Sequence, residues 1–155
     1  MIPQNFINAL EIWLGDEILG KQRLVKALEA QEQALVDGKA EDITQATGLV
    51  GRELELEIER ARRRELIFAR LGSHWNVAPK TLTLGSIAER AGPSGTRLDE
   101  LRAELRAHVA EVLRRNRRIA RLVHVHKSIV EETITALIGT HAPEGATGAL
   151  FDARM

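Results

Sequence analysis

Residues 98–137 read LDELRAELRAHVAEVLRRNRRIARLVHVHKSIVEETITAL, and this stretch decides the fold class. From Leu98, steps of four and three select Arg102, Leu105, Val109, Val112, Asn116, Ile119, Val123, His126, Val130, Thr133 and Leu137. Most of these side chains are apolar, and that spacing returns to one side of an α-helix. At 1.5 Å per residue the predicted helix is about 60 Å long, with a seam of the coiled-coil kind. Asp99 and Glu100 suit its positive N-terminal end, Thr96 or Ser94 is the expected cap, and Gly139 is the expected stop. Asn116 has two readings. It is either a buried polar residue that restricts register, or one more solvated position among four arginines.

Upstream, residues 72–97 hold six Gly or Pro residues, too many for another long helix. Within them Thr83 to Arg90, TLGSIAER, predicts a short helix closed by Gly92-Pro93. A second long helix is marked by Ile43, Thr47, Val50, Leu54, Ile58, Ala61 and Phe68, ending at Leu71-Gly72. Its outer face, Arg52 to Arg64, alternates Glu and Arg at surface ion-pair spacing. The first helix follows Pro3 and carries Ile7, Leu10, Leu14, Ile18, Val25, Leu28 and Leu35 on one stripe. It ends at Asp37-Gly38-Lys39, where Gly38 suits a left-handed C-cap and the short link makes the next helix antiparallel.

Beyond Gly139 the periodicity is lost. The sequence GTHAPEGATGALFDARM reads as a flexible tail with an apolar hook at Leu150-Phe151. The expected architecture is all-α: an elongated antiparallel helical bundle with two long N-terminal helices, a short one and a long last one. Residues 1–138 form the bundle domain and residues 139–155 the tail.

Composition agrees. The 155 residues suffice for one domain that buries about 70% of its extended surface. Aromatic residues are only 3% of the chain, which argues against sheets. The formal net charge is +0, yet residues 1–60 carry six Lys/Arg against twelve Asp/Glu, whereas residues 101–127 carry eight against two. An even total argues against a nucleic-acid binder that works by bulk charge, though not against a local basic face. There is no cysteine, so thiol chemistry and thiolate metal sites are excluded. The first residues lack a basic signal-peptide start, and no apolar run reaches membrane-spanning length, so a cytoplasmic protein is expected.

Motifs that suggest catalysis fail on physical grounds. Gly15 to Lys21, GDEILGK, has the spacing of a phosphate-binding loop, but it lies within a helical stripe. It also places two carboxylates where phosphate would sit, and Gln22 stands where a hydroxyl is needed. His124 and His126 are two residues apart, so on a helix they point in different directions and cannot share a metal. His126 is expected as a hydrogen-bonded or half-exposed packing residue. No catalytic residue, cofactor or metal is expected, and the chain does not read as an enzyme. The cluster Arg114-Arg115-Asn116-Arg117-Arg118 with Arg121 is the candidate nucleic-acid face, but residues 98–138 contain no Tyr, Trp or Phe to stack on bases. Packing of these arginines against the acidic flank of the first two helices is the simpler reading.

The order of these pieces resembles the FlgN-type flagellar type III export chaperones. The resemblance rests on ALVDGKAEDITQATGLVGRELELE around the turn and second helix, on TLTLGSIAERAG, and on RLDELRAELRAHVAEVLRRNRRIARLV in the last helix. It covers roughly residues 5–138. Family members often carry a second Asn three residues after the first in the last helix, where this chain has Ile119, and a Tyr-containing, Gly-closed tail, where it has FDARM.

The resemblance implies a cytoplasmic chaperone that holds the C-terminal segments of hook–filament junction (hook-associated) proteins. It would prevent their premature assembly and deliver them to the export apparatus, with export-gate or ATPase components as further partners. On that basis the partner-binding residues are Val123, Val130, Ile134, Leu137, Ile138, Leu150 and Phe151, if the last helix overhangs the bundle. They are then exposed in the free protein or buried only by a second copy in a homodimer, and the competing arrangement packs them on the first helix near Phe6, Leu10 and Trp13. The alternatives by class are a coiled-coil adaptor or oligomerisation protein, and a nucleic-acid-binding helical protein that uses Arg114–Arg121.

Overall fold

Helix α1, Gln4–Asp37, starts after Pro3, whose φ of −61° already suits a helix, and ends where Gly38 adopts φ 69°. The Gly38 amide then donates to the Ala34 carbonyl, closing the helix in the left-handed cap expected from Asp37-Gly38-Lys39. Helix α2, Ala40–Trp75, begins directly after this turn. A short 3₁₀ turn, Pro79–Thr81, leads to α3, Leu84–Ala91, and a second one, Gly92–Gly95, leads to α4, Thr96–Ile138. This computed structural model describes residues 2–138, which contain these four helices and no strand. The tail with Leu150 and Phe151, and the stop expected at Gly139, lie outside the described residues.

Three boundaries have instructive chemistry. Thr83 caps α3 by a reciprocal box: its hydroxyl accepts from the Ser86 amide at 3.1 Å, and the Ser86 hydroxyl accepts from the Thr83 amide at 3.0 Å. Helix α2 does not stop at Leu71-Gly72 as the glycine suggests, but continues to Trp75 and is capped by Asn76 at φ 53°. Gly72 serves close approach instead, since a Cβ there would come within 2.8 Å of the Val77 carbonyl oxygen. Helix α4 also departs from expectation. Neither Ser94 nor Thr96 caps it, because the Gly92–Gly95 turn runs straight into the helix and the Thr96 hydroxyl donates to the Pro93 carbonyl at 3.0 Å.

The cross-helix bonds fix the directions. Trp13, Arg23 and Gln31 on α1 meet Arg60, Glu53 and Thr47 on α2, a descending series, so these helices are antiparallel. Gln22 meets His108, and Glu29 and Glu32 meet Arg115, an ascending series, so α4 runs parallel to α1. Helix α1 is thus the shared partner of both other long helices. The bundle is antiparallel between α1 and α2, with α4 returning in the direction of α1.

Two apolar clusters hold this arrangement. At one end Ile7, Leu10, Trp13 and Leu14 of α1 meet Leu71, Leu82, Ile87, Leu98 and Leu101. At the other, Leu24, Leu28 and Leu35 meet Val112 and Ile119, with Ile43, Val50, Leu122 and Val123 beside them. Burial of one such large side chain stabilises by about 1.5–3 kcal/mol.

Between the clusters, α1 and α2 are joined by buried charge. The Arg60 guanidinium is only 5% exposed, and its Nε donates to Glu17 Oε1 at 3.1 Å. Trp13 Nε1 donates to the Arg60 backbone carbonyl at 2.9 Å. Lys21 lies 3.6 Å from Glu17 and also pairs with Glu57. Gly20 makes room for this layer: a Cβ there would collide with the Arg60 guanidinium. Burial holds the Lys21 amine below the usual lysine range, opposed by the attraction of Glu17. A lysine that loses its proton more readily when folded opposes folding at neutral pH, and this contribution fades as pH rises towards the ordinary value near 10.4.

The same layer corrects the stripe expected for α2. Ile43, Val50, Ala61 and Phe68 are half-buried, but Thr47, Leu54 and Ile58 are exposed. In the middle of the helix Glu57 and Arg60 face α1 in their place, because their charges are paired there. The seam of α4 is also rotated slightly from expectation. Leu98, Val112 and Ile119 are buried, but the alternating row that meets α1 includes Leu101 and Arg115, and Asn116 is exposed. Asn116 is therefore a solvated position.

Of the arginines in the basic cluster, Arg115 reaches Glu29 at 3.0 Å and Glu32 at 3.2 Å, and Arg118 reaches Glu32 at 3.3 Å. The acidic–basic asymmetry of the chain is therefore partly an α1–α4 clamp; its acidic side is α1 alone. Arg114 and Arg115 also donate to Glu111, which holds that carboxyl below the usual glutamate range.

Truncating Leu71, which is fully buried, to alanine is expected to destabilise by about 2–5 kcal/mol, whereas Leu137→Ala stays within about 0.5 kcal/mol in urea unfolding. Arg60→Met is expected to destabilise by about 3 kcal/mol, at the low end for a broken buried pair because Lys21 still faces Glu17. Adding Glu17→Leu to Arg60→Met should recover part of that loss, as a double-mutant cycle in the same assay would show. A carboxyl depressed in the folded state contributes stability above its unfolded value, about 4.3, which is lost as pH falls through the lower folded value. The urea midpoint between pH 5.5 and pH 3 should accordingly fall less steeply in Glu111→Gln than in the parent chain.

Candidate partner-binding surface

The candidate surface follows from helix lengths and register. Helix α1 has 34 residues and α4 has 43. The contacts of Gln22 with His108 and of Glu29 and Glu32 with Arg115 set the offset between the two parallel helices. Carried forward, that offset places the end of α1 at Asp37 near Val123. Residues 124–138 then continue for about 22 Å past the end of α1.

Val123 is half-buried and packs on the second apolar cluster, so it marks where the overhang leaves the bundle. Val130 is 43% exposed, Leu137 81% and Ile138 63%, while Ile134 is half-buried. The steps from Val123 to Val130, Ile134 and Leu137 are seven, four and three, so these residues share one helix face. Val125 and Ile129, exposed at 51% and 54%, form a second apolar row that periodicity missed. They fall outside the four–three steps of the seam.

The competing arrangement is not what the structure has. Phe6, Leu10 and Trp13 lie at the opposite end of α1 and pack with the first turns of α4, at Leu98, Leu101 and Leu105. Leu150 and Phe151, the remaining candidates, lie outside the described residues.

The other sequence candidates are dispersed. Gly15 to Gln22 lies wholly within α1, with no bare loop to receive phosphate. His124 is exposed and His126 half-buried on α4, and no group of three His, Asp or Glu side chains could hold a metal among the described residues. No described helix is long and apolar enough to cross a membrane. The basic run of α4 is divided: Arg115 and Arg118 face α1 carboxylates, Arg114 pairs within its own helix, and Arg117 and Arg121 are exposed.

What the overhang offers is apolar area on a helix with no neighbour among the described residues to cover it. Apolar area of that kind suits the apolar face of a partner. The FlgN protein family matches residues 6–148 of the chain. Neither a curated protein nor a solved structure matches it. With nearly the whole chain matched, from the first turns of α1 to beyond α4, the protein belongs to the FlgN family, a family of flagellar export chaperones and not of enzymes.

Proposed function

We propose that this protein is a cytoplasmic chaperone that binds the C-terminal helical segments of hook–filament junction proteins, prevents their premature assembly and delivers them to the flagellar export apparatus. The observation that carries the reading is the overhanging end of α4, with Val130, Leu137 and Ile138 exposed on a helix that leaves its bundle. An unassembled junction protein presents amphipathic helices that aggregate unless covered, and an uncovered apolar helix face is the complement they need. Burying two or three such side chains contributes about 1.5–3 kcal/mol each, enough for reversible holding once the association cost is met. Release at the export apparatus requires that reversibility.

In this reading the binding residues are Val123, Val130, Ile134, Leu137 and Ile138, joined by Leu150 and Phe151 of the tail. The export gate or its ATPase is the later partner, and a homodimer through the same surface would compete with cargo. The charge distribution favours a protein partner over nucleic acid, because Arg115 and Arg118 are engaged with Glu29 and Glu32.

Deleting residues 128–155 is expected to abolish capture of the C-terminal segments of hook–filament junction proteins from the same organism, with the far-UV helical signal largely kept. Undiminished capture would overturn the reading. A milder variant, Val130→Glu with Leu137→Glu, should weaken binding at least about tenfold without changing the urea midpoint, since both side chains are solvent-exposed.

A further inference from the structure

A second surface lies at the opposite end of the molecule. Helices α2 and α4 both pack on α1 without packing on each other over their length, so a trough runs between them with α1 as its floor. In a four-helix bundle a further long helix fills such a trough. Here α3 has only 8 residues, about 12 Å of helix, and it borders the trough at one end only.

What remains is a cleft of about 970 Å³. Trp13 of α1, Phe68 of α2, Leu82 before α3, Leu84 at its start, and Leu105 and Val109 of α4 line it. Its charged lining residues are Arg64, Lys80, Arg102 and Arg106 against a single acid, Glu65. Arg102 is shared with Asp99 at 3.7 Å, and the Arg64 guanidinium lies 6.0 Å from the centre of the Trp13 ring. Arg64, Lys80 and Arg106 are all exposed. The cleft is apolar within and basic at its border, in a chain whose first 60 residues are acidic overall.

We infer that this cleft is a docking site for an acidic amphipathic helix of a partner protein. The apolar lining takes a stripe of large aliphatic side chains, and the four basic groups meet carboxylates that flank the stripe. A cylinder about 10 Å across sunk fully into this volume has about two helical turns, and one half-sunk has about four. That length presents the i, i+3, i+4, i+7 anchors by which a helix is held in a groove. The inference does not rest on the export reading, since the cleft and the overhang are at opposite ends of α4.

The test uses the full chain and a synthetic peptide with Leu at i, i+3, i+4 and i+7 and Glu at the flanking positions. Its controls are the same peptide with Lys for every Glu, and a scrambled acidic peptide. Titration calorimetry at about 150 mM salt should show the acidic helix binding at least about tenfold more tightly than either control, with affinity falling as salt rises. Arg64→Glu with Arg106→Glu, two exposed positions whose exchange leaves the urea midpoint unchanged, should reverse the preference towards the Lys peptide. Val130→Glu with Leu137→Glu at the overhang should leave it intact. Equal binding of acidic and basic helices, no binding of either, or loss caused by the overhang variant instead of the cleft variant would overturn the inference. So would sedimentation showing a second copy of the chain seated in the cleft and displaced by the peptide.

Discussion

Helix α1 buries side chains towards two neighbours at once, and every other long element takes its position from it. Towards α2 its middle is polar: Glu17 accepts from Arg60, Lys21 approaches Glu17 and Glu57, and Trp13 reaches the Arg60 carbonyl. A buried pair of this kind adds little net stability over apolar packing, because desolvation offsets attraction. Its effect is on register. Sliding α2 along α1 by one turn would take the Arg60 guanidinium away from Glu17 and leave it in the interior without that partner, whereas leucines would slide more readily.

Towards α4 the same helix uses a different device. Arg115 and Arg118 grip Glu29 and Glu32 at the border of the second apolar cluster, where the charges are partly solvated. This clamp fixes how far α4 has advanced along α1 when α1 ends. Parallel packing of a 43-residue helix on a 34-residue one then leaves the excess projecting. The exposed apolar end is thus a consequence of register and length.

The two proposed binding surfaces lie at the two ends of one rod. At the far end apolar side chains project on a lone helix; at the near end α3 is too short to fill the trough between α2 and α4. The first suits a partner that wraps a helix, the second a partner that inserts one.

Much of this was legible in the sequence because helices announce themselves locally. The apolar stripe of α1, the Gly38 cap, the Thr83 start of α3 and the uninterrupted length of α4 depend on neighbours within a few residues, and all are present as read. The acidic–basic division of the chain pointed to pairing of the α4 arginines with the first two helices, of which only the α1 half is present. Other features depend on residues far apart in sequence. Arg60 has no local mark that distinguishes it from Arg52 or Arg64; only the approach of Gly20 and Glu17 makes it a core residue and turns Leu54 and Ile58 outward. Gly72 looks like a helix end until Val77 is seen folding back on it. Val130 and Leu137 continue the seam and have the chemistry of core residues, and whether they are covered is decided by where α1 stops. The sequence by itself determined the four helices, the Gly38 turn, the Thr83 start and the buried stripe of α1, since these follow from periodicity and capping along the chain. The tertiary structure alone decided which charged residues are buried, how far α4 overhangs and where the cleft opens, because those depend on the register between helices and on what occupies the space beside them.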